Sequence, residues 1–162
     1  MIRPWYHWSM DPLEQLLAER ACERLILDFV RRLDIGDPGS VAELFTEDGS
    51  WEWPSPGDGR RFDGREALRE YFGSRPEDRL SRRVMSNILV TVASSDTTTA
   101  TSYFTTYRID GYHGGIVPPG APVQVGHYED TFRRSADGSW LLASRALRLP
   151  FGGPTPRQER SA

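Results

Sequence analysis

The chain has no lysine at all; its 20 basic residues are all arginine. Schiff-base catalysis and covalent attachment of pyridoxal phosphate both require a lysine amine, so both are excluded. It has one cysteine, Cys22, and three histidines scattered along 162 residues. One cysteine cannot close an internal disulfide, and this set spells no zinc signature. No 2-His-1-carboxylate spacing appears either, which argues against a non-haem iron site. A mechanism without cofactor or metal is therefore expected. No apolar run approaches the roughly 20 residues that span a bilayer, and MIRPWYHWSM lacks the apolar core of a signal peptide. A cytoplasmic protein without membrane attachment is the expectation. There is no glycine-rich phosphate loop and no internal repeat. With a net charge of −3 and no basic stripe, nucleic acid is not an expected partner.

What is present suffices for a single domain with its own core. Residues 1–10 carry Trp5, Tyr6, His7 and Trp8, an aromatic arm that packs on its own domain, covers a pocket or meets a partner. Asp11-Pro12-Leu13-Glu14 reads as a capping box with proline at the first helical position. Leu13, Leu16, Leu17, Cys22, Ile26, Phe29, Val30 and Leu33 then recur at helical spacing. Gly36 ends that helix, and Asp34 stands at its last turn. Asp37-Pro38 starts a short second helix that Gly49 stops, and Ser50–Trp53 reads as a first strand with Trp51 and Trp53 on one face. Asp63-Gly64-Arg65-Glu66 starts a third helix.

From Arg82 onward the composition is that of strands. Arg82–Val92 alternates with Val84, Ile88, Val90 and Val92 on one face and Arg83, Met85, Asn87 and Leu89 on the other. Thr97–Ile109, Val123–Arg134 and Ser139–Leu149 follow, the last two joined at Ala136-Asp137-Gly138. The tail from Phe151 has little to bury and reads as flexible. Helices first and a strand meander after predict an α+β cone: one domain over 1–150, with a strongly curved antiparallel sheet and three helices on its concave face. Such a sheet leaves room for a ligand between itself and the helices.

The segments RRLDIGDPGSVAELFTEDGSWEW, FDGREALREYF, SRRVMSNILVTV and GHYEDTFRRSADGSWLLASRALRL, in this order, resemble the SnoaL-like branch of the nuclear transport factor 2-like superfamily over about residues 12–150. The resemblance implies an α+β cone around a deep pocket, and a homodimer. It implies that Asp34 matches the acidic pocket residue of scytalone dehydratase-like and bile acid dehydratase-like members, that Trp53 falls where some members have a pocket tyrosine, and that Arg148 matches an arginine of bile acid dehydratase-like members. The chain departs from them at Arg83, where many relatives carry a histidine, and at Phe29, where a tyrosine would stand.

An arginine guanidinium stays protonated at any working pH, so Arg83 cannot be a base. It either stabilises an enolate or alkoxide or forms an ion pair with a helix carboxylate such as Asp34. Paired, Asp34 orients a hydroxyl or a water; free beside aromatic walls, it suits general acid–base work. His127 is a proton shuttle if its strand face lines the pocket, and an edge or subunit-contact residue if not. Asp34, Arg83 and His127 are thus the candidate catalytic residues. Phe29, Trp51, Trp53, Asn87, Tyr103, Tyr107 and Arg148 are the candidate substrate contacts. The leading expectation is proton-transfer chemistry (cyclisation, isomerisation or dehydration) on an apolar, oxygenated small molecule. A noncatalytic binding module and the small subunit of a ring-hydroxylating dioxygenase are the alternatives.

Overall fold

The computed structural model describes residues 10–158; the aromatic arm, but for Met10, lies outside them. In chain order come α1 (Pro12–Ile35), a 3-10 helix (Pro38–Leu44), β1 (Phe45–Trp53), β2 (Arg60–Asp63), α2 (Arg65–Gly73), β3 (Leu80–Val92), β4 (Thr97–Ile109), β5 (Gln124–Arg134) and β6 (Trp140–Gly152). The six strands form one open, curved sheet in the order β2-β1-β6-β5-β4-β3. All neighbours are antiparallel except β1 and β6, which run parallel. The sheet is therefore mixed, because the chain passes from β1 through β2, α2 and three further strands before β6 returns beside it.

α1 lies across β3, β4 and β6, while α2 packs on β1, β2 and the 3-10 helix. One core joins them, with Ile26, Phe29, Phe45, Leu68, Phe104, Phe132 and Leu142 each almost wholly buried. Cys22 is buried there too, and burial pushes its thiol up to about 12, which makes it a packing residue rather than a nucleophile. Its helical stripe is shorter than its sequence suggests. Leu13, Leu16 and Leu17 are each 60% exposed, and α1 is buried only from Ala18 to Leu33. Nor does Asp11 cap the helix with its side chain; its backbone carbonyl accepts from Gln15 N at 2.9 Å.

Strand phase departs from simple alternation in β1 and β3, as it does where β5 meets β6 at Val125–His127 and Thr131–Phe132. β1 begins at Phe45, well before Ser50. Phe45 lies opposite Leu142 and Ser50 opposite Ser144, so β1 bulges around Gly49, where a Cβ would lie 2.8 Å from Phe45 Cβ. In β3 the register with β4 slips between Ser86 and Leu89, and Asn87 sits there at φ +49°, a conformation asparagine tolerates better than most residues. The bulge reverses the inward phase. Arg83 and Met85 face the helices together with Ile88, Val90 and Val92, while Val84, Asn87 and Leu89 are exposed.

The tail also differs from expectation. β6 runs to Gly152, and residues up to 158 return beside the end of β4. Asp110 N donates to Pro156 O at 2.9 Å, and Gln158 N donates to Asp110 O at 2.8 Å.

Gly126 marks the tightest approach inside the sheet. A Cβ there would fall on the carbonyl oxygen of Arg148 and lie 2.9 Å from the Phe104 ring. Gly126→Ala should therefore cost at least the 1–3 kcal/mol typical of overpacking, read as a lower midpoint in urea denaturation. An unchanged midpoint would show that β5 and β6 separate there more easily than the packing implies.

Candidate active site

A cavity of about 340 Å³ lies between the helices and the inner face of the sheet, within the range of small-molecule pockets. Helical spacing on α1 brings Phe29 and Leu33 to it, and strand alternation brings both Trp51 and Trp53. The aromatic wall is continuous. Tyr71 stacks on Phe62 with ring centroids 4.0 Å apart and meets Trp51 at 5.1 Å. Phe72 stands edge-on to Phe29 at 5.5 Å. Burial raises the Tyr71 phenol above its ordinary range, which keeps it a proton donor.

Guanidinium groups share the lining: Arg60 from β2 (paired across the strands with Trp53), Arg75 and Arg79 from the loop after α2, Arg83 from β3 and Arg108 from β4. Arg79 donates to Asp110 through Nε at 2.6 Å and Nη2 at 2.9 Å, and these bonds hold the Asp110 carboxyl below its usual range. Arg83 pairs with Asp34. The backbone N–H of Arg83 donates to Asp34 Oδ2 at 2.5 Å, its guanidinium donates to Oδ1, and Ser81 Oγ donates to the same oxygen at 2.7 Å. Both side chains are under 10% exposed. Asp34 is thus a clamped carboxylate behind Arg83, and Arg83 is the member of the pair that reaches the cavity wall.

The structure divides the residues singled out from sequence into two groups. Phe29, Trp51, Trp53 and Arg83 line the cavity, with Asp34 directly behind. His127, Tyr103, Tyr107, Asn87 and Arg148 do not. The first two pair across β4 and β5 with rings 6.1 Å apart. His127 Nε2 is 3.4 Å from Glu129 Oε1, and Arg148 Nη2 donates to Glu129 Oε2 at 2.9 Å. This cluster occupies the outer face. The inner face at the same level carries Phe104 and Tyr128, their rings 4.7 Å apart. Tyr107 is exposed on that outer face, and Asn87 is exposed at the bulge. A proton-shuttle role for His127 and cavity contacts for Tyr103, Tyr107, Asn87 and Arg148 are therefore corrected.

Tyr71, Arg75, Arg79, Arg108 and Tyr128 are cavity residues that sequence reasoning missed. For Tyr128 the signal was there: Gly126, Tyr128, Asp130 and Phe132 form the more apolar alternation of β5. Among the described residues, no three His, Cys, Asp or Glu side chains converge as a metal site, and no helix is long and apolar enough to cross a membrane.

A curved α+β sheet closed by helices over one aromatic and cationic cavity defines a small-molecule pocket protein. The profile of the SnoaL-like domain matches residues 14–146, and the chain belongs to that family. Among solved structures it is similar to Rv3472 from Mycobacterium tuberculosis, a protein of unknown function, at 27% identity, with 87% of this chain and 77% of that one covered and a TM-score of 0.70. ActVI-ORFA from Streptomyces coelicolor is similar at 25% identity, covering 83% of this chain and 97% of that one, with a TM-score of 0.66. A Novosphingobium aromaticivorans protein provisionally assigned as a scytalone dehydratase shares the fold at 24% identity, covering 94% and 100%, with a TM-score of 0.68. No curated protein is matched by the chain.

Proposed function

We propose that the protein is a cofactor-independent enzyme that moves a proton on an apolar, oxygenated small molecule. The reaction type is isomerisation, cyclisation or dehydration, through an enolate or related oxyanion. The observation that carries this reading is the Asp34–Arg83 pair at the wall of an aromatic cavity. The substrate's rings lie against Trp51, Trp53 and Phe29, and its carbonyl oxygen faces Arg83. As the C–H bond beside the carbonyl breaks, the carbonyl π pair moves onto that oxygen and the guanidinium turns its charge toward it. Asp34 stands behind Arg83, and the turn of the guanidinium uncovers it and removes one of its three donors; it takes the proton in the same step, while the C–H electron pair becomes the C=C bond of the enolate. Tyr71 supplies a phenol proton within the same wall.

The test is proton–deuterium exchange, followed by NMR, at the carbon beside the carbonyl in a panel of aromatic and cyclic ketones. Wild-type protein should accelerate exchange for at least one of them. Asp34→Asn and Arg83→Gln should each lower the rate about 100-fold or more, with folding checked by circular dichroism. Full exchange activity in Asp34→Asn would sink the assignment. The full hydrogen bonding of Asp34 favours a second reading, a noncatalytic ligand-binding module. Ligand binding without exchange anywhere in the panel would select it.

A further inference from the structure

The cavity holds more positive charge than its carboxylates neutralise. Five guanidiniums line it, and two of them, Arg79 and Arg83, have carboxylate partners. Arg75 has no side-chain acceptor among the described residues, and Arg108 has one neutral partner, the hydroxyl of Thr155, 2.7 Å from its Nε. Neither is free in water, since both are half-buried. Burial, together with the charges of Arg83 and Arg79, pulls Arg75 down to about 10. The same three causes lower Arg108. Like charges held together without counter-charges cost stability, and folded proteins keep such groups where a ligand satisfies them.

From this arrangement we infer that the substrate is an organic acid: a planar, mostly aromatic molecule whose carboxylate is bound by Arg75 and Arg108 while its rings rest on Trp51, Trp53 and Phe29. A planar guanidinium fork matches a carboxylate in geometry as well as charge. At about 340 Å³, the cavity suits a compact body rather than a long chain. The inference rests on the cavity being the substrate site and adds to that reading the chemical class of the ligand.

Calorimetric titration with 2-naphthoate, 2-naphthamide and 2-naphthyl phosphate tests it without requiring turnover. The acid should bind at least tenfold more tightly than the amide. Arg75→Met should erase that difference and, in the absence of ligand, raise the melting temperature, because it relieves repulsion. A structural arginine would lower the melting temperature on removal. Equal binding of acid and amide, no saturable binding of the acid, or a preference surviving in Arg75→Met would each overturn the inference. Tighter binding of the phosphate ester than of the acid would overturn the carboxylate assignment. Asp34→Asn should leave the acid–amide preference in place, so loss of exchange and loss of acid recognition separate the two proposals.

Discussion

Asp130→Ala should destabilise the protein by about 3–5 kcal/mol, a large share of the 5–15 kcal/mol by which domains of this kind are usually stable. Arg145 and Asp130 face each other on adjacent strands and are both completely buried. Two parallel bonds join them, Nε to Oδ1 and Nη2 to Oδ2, each 2.7 Å long. The guanidinium carbon sits 4.3 Å from the ring centroids of both Phe29 and Tyr128, so an ion pair is sandwiched between aromatic faces. Removing Asp130 leaves an uncompensated cation where no water reaches it. Replacing both partners, as in Asp130→Leu with Arg145→Met, should recover most of the loss. Guanidinium chloride denaturation of the two variants makes the comparison. A double variant no more stable than Asp130→Ala would show that packing volume, not charge, governs this layer.

The second large effect falls on the other buried pair and is asymmetric. Asp34→Ala should cost about 3 kcal/mol or more, since it strands the Ser81 hydroxyl and the Arg83 amide and guanidinium together. It also leaves four of the five cavity arginines without a carboxylate. Arg83→Met should cost less, about 1–2 kcal/mol, because Asp34 keeps two donors and Arg75 lies close enough to feel its charge. Thermal melts at one pH decide the order. A larger loss from Arg83→Met would mean that the carboxylate, not the cation cluster, is the strained partner.

The longer regular elements were legible in the sequence; the four-residue β2 and the exceptions to periodicity were not. Thr97–Ile109 alternates without a break, and the strand has those bounds. Asp137-Gly138 marked the hairpin, where Gly138 takes φ +87° and Asp137 accepts from Ser139 N at 2.9 Å. In contrast, Thr46-Glu47-Asp48-Gly49 has turn composition but lies inside β1 as a bulge, between Phe45 and Ser50, whose pairing with β6 no local pattern reveals. One residue in left-handed backbone at Asn87 separates Arg83 from the phase of its own strand, so the pocket face of β3 could not be read by counting in twos. His127 attracted a role by its chemistry, whereas the buried alternation on β5 belongs to its neighbours. The arginine cluster was hidden for a different reason. Arg75 and Arg79 sit in a polar loop where charge normally means solvent. Only the fold of that loop over the cavity brings them to Arg83 and Arg108.

The absence of lysine then acquires a meaning beyond the chemistries it rules out. The cavity's lining contains guanidiniums and phenols but no amine, imidazole or carboxylate, so it carries no group whose ordinary titration lies near neutrality. Even Arg75, drawn down to about 10, stays charged at neutral pH. An amine in the same crowded place would shed its proton and stop attracting anions. The cavity resembles a strong-base ion exchanger rather than a weak-base one: its charge is permanent, and its hold on an acid follows the ionisation of the acid alone.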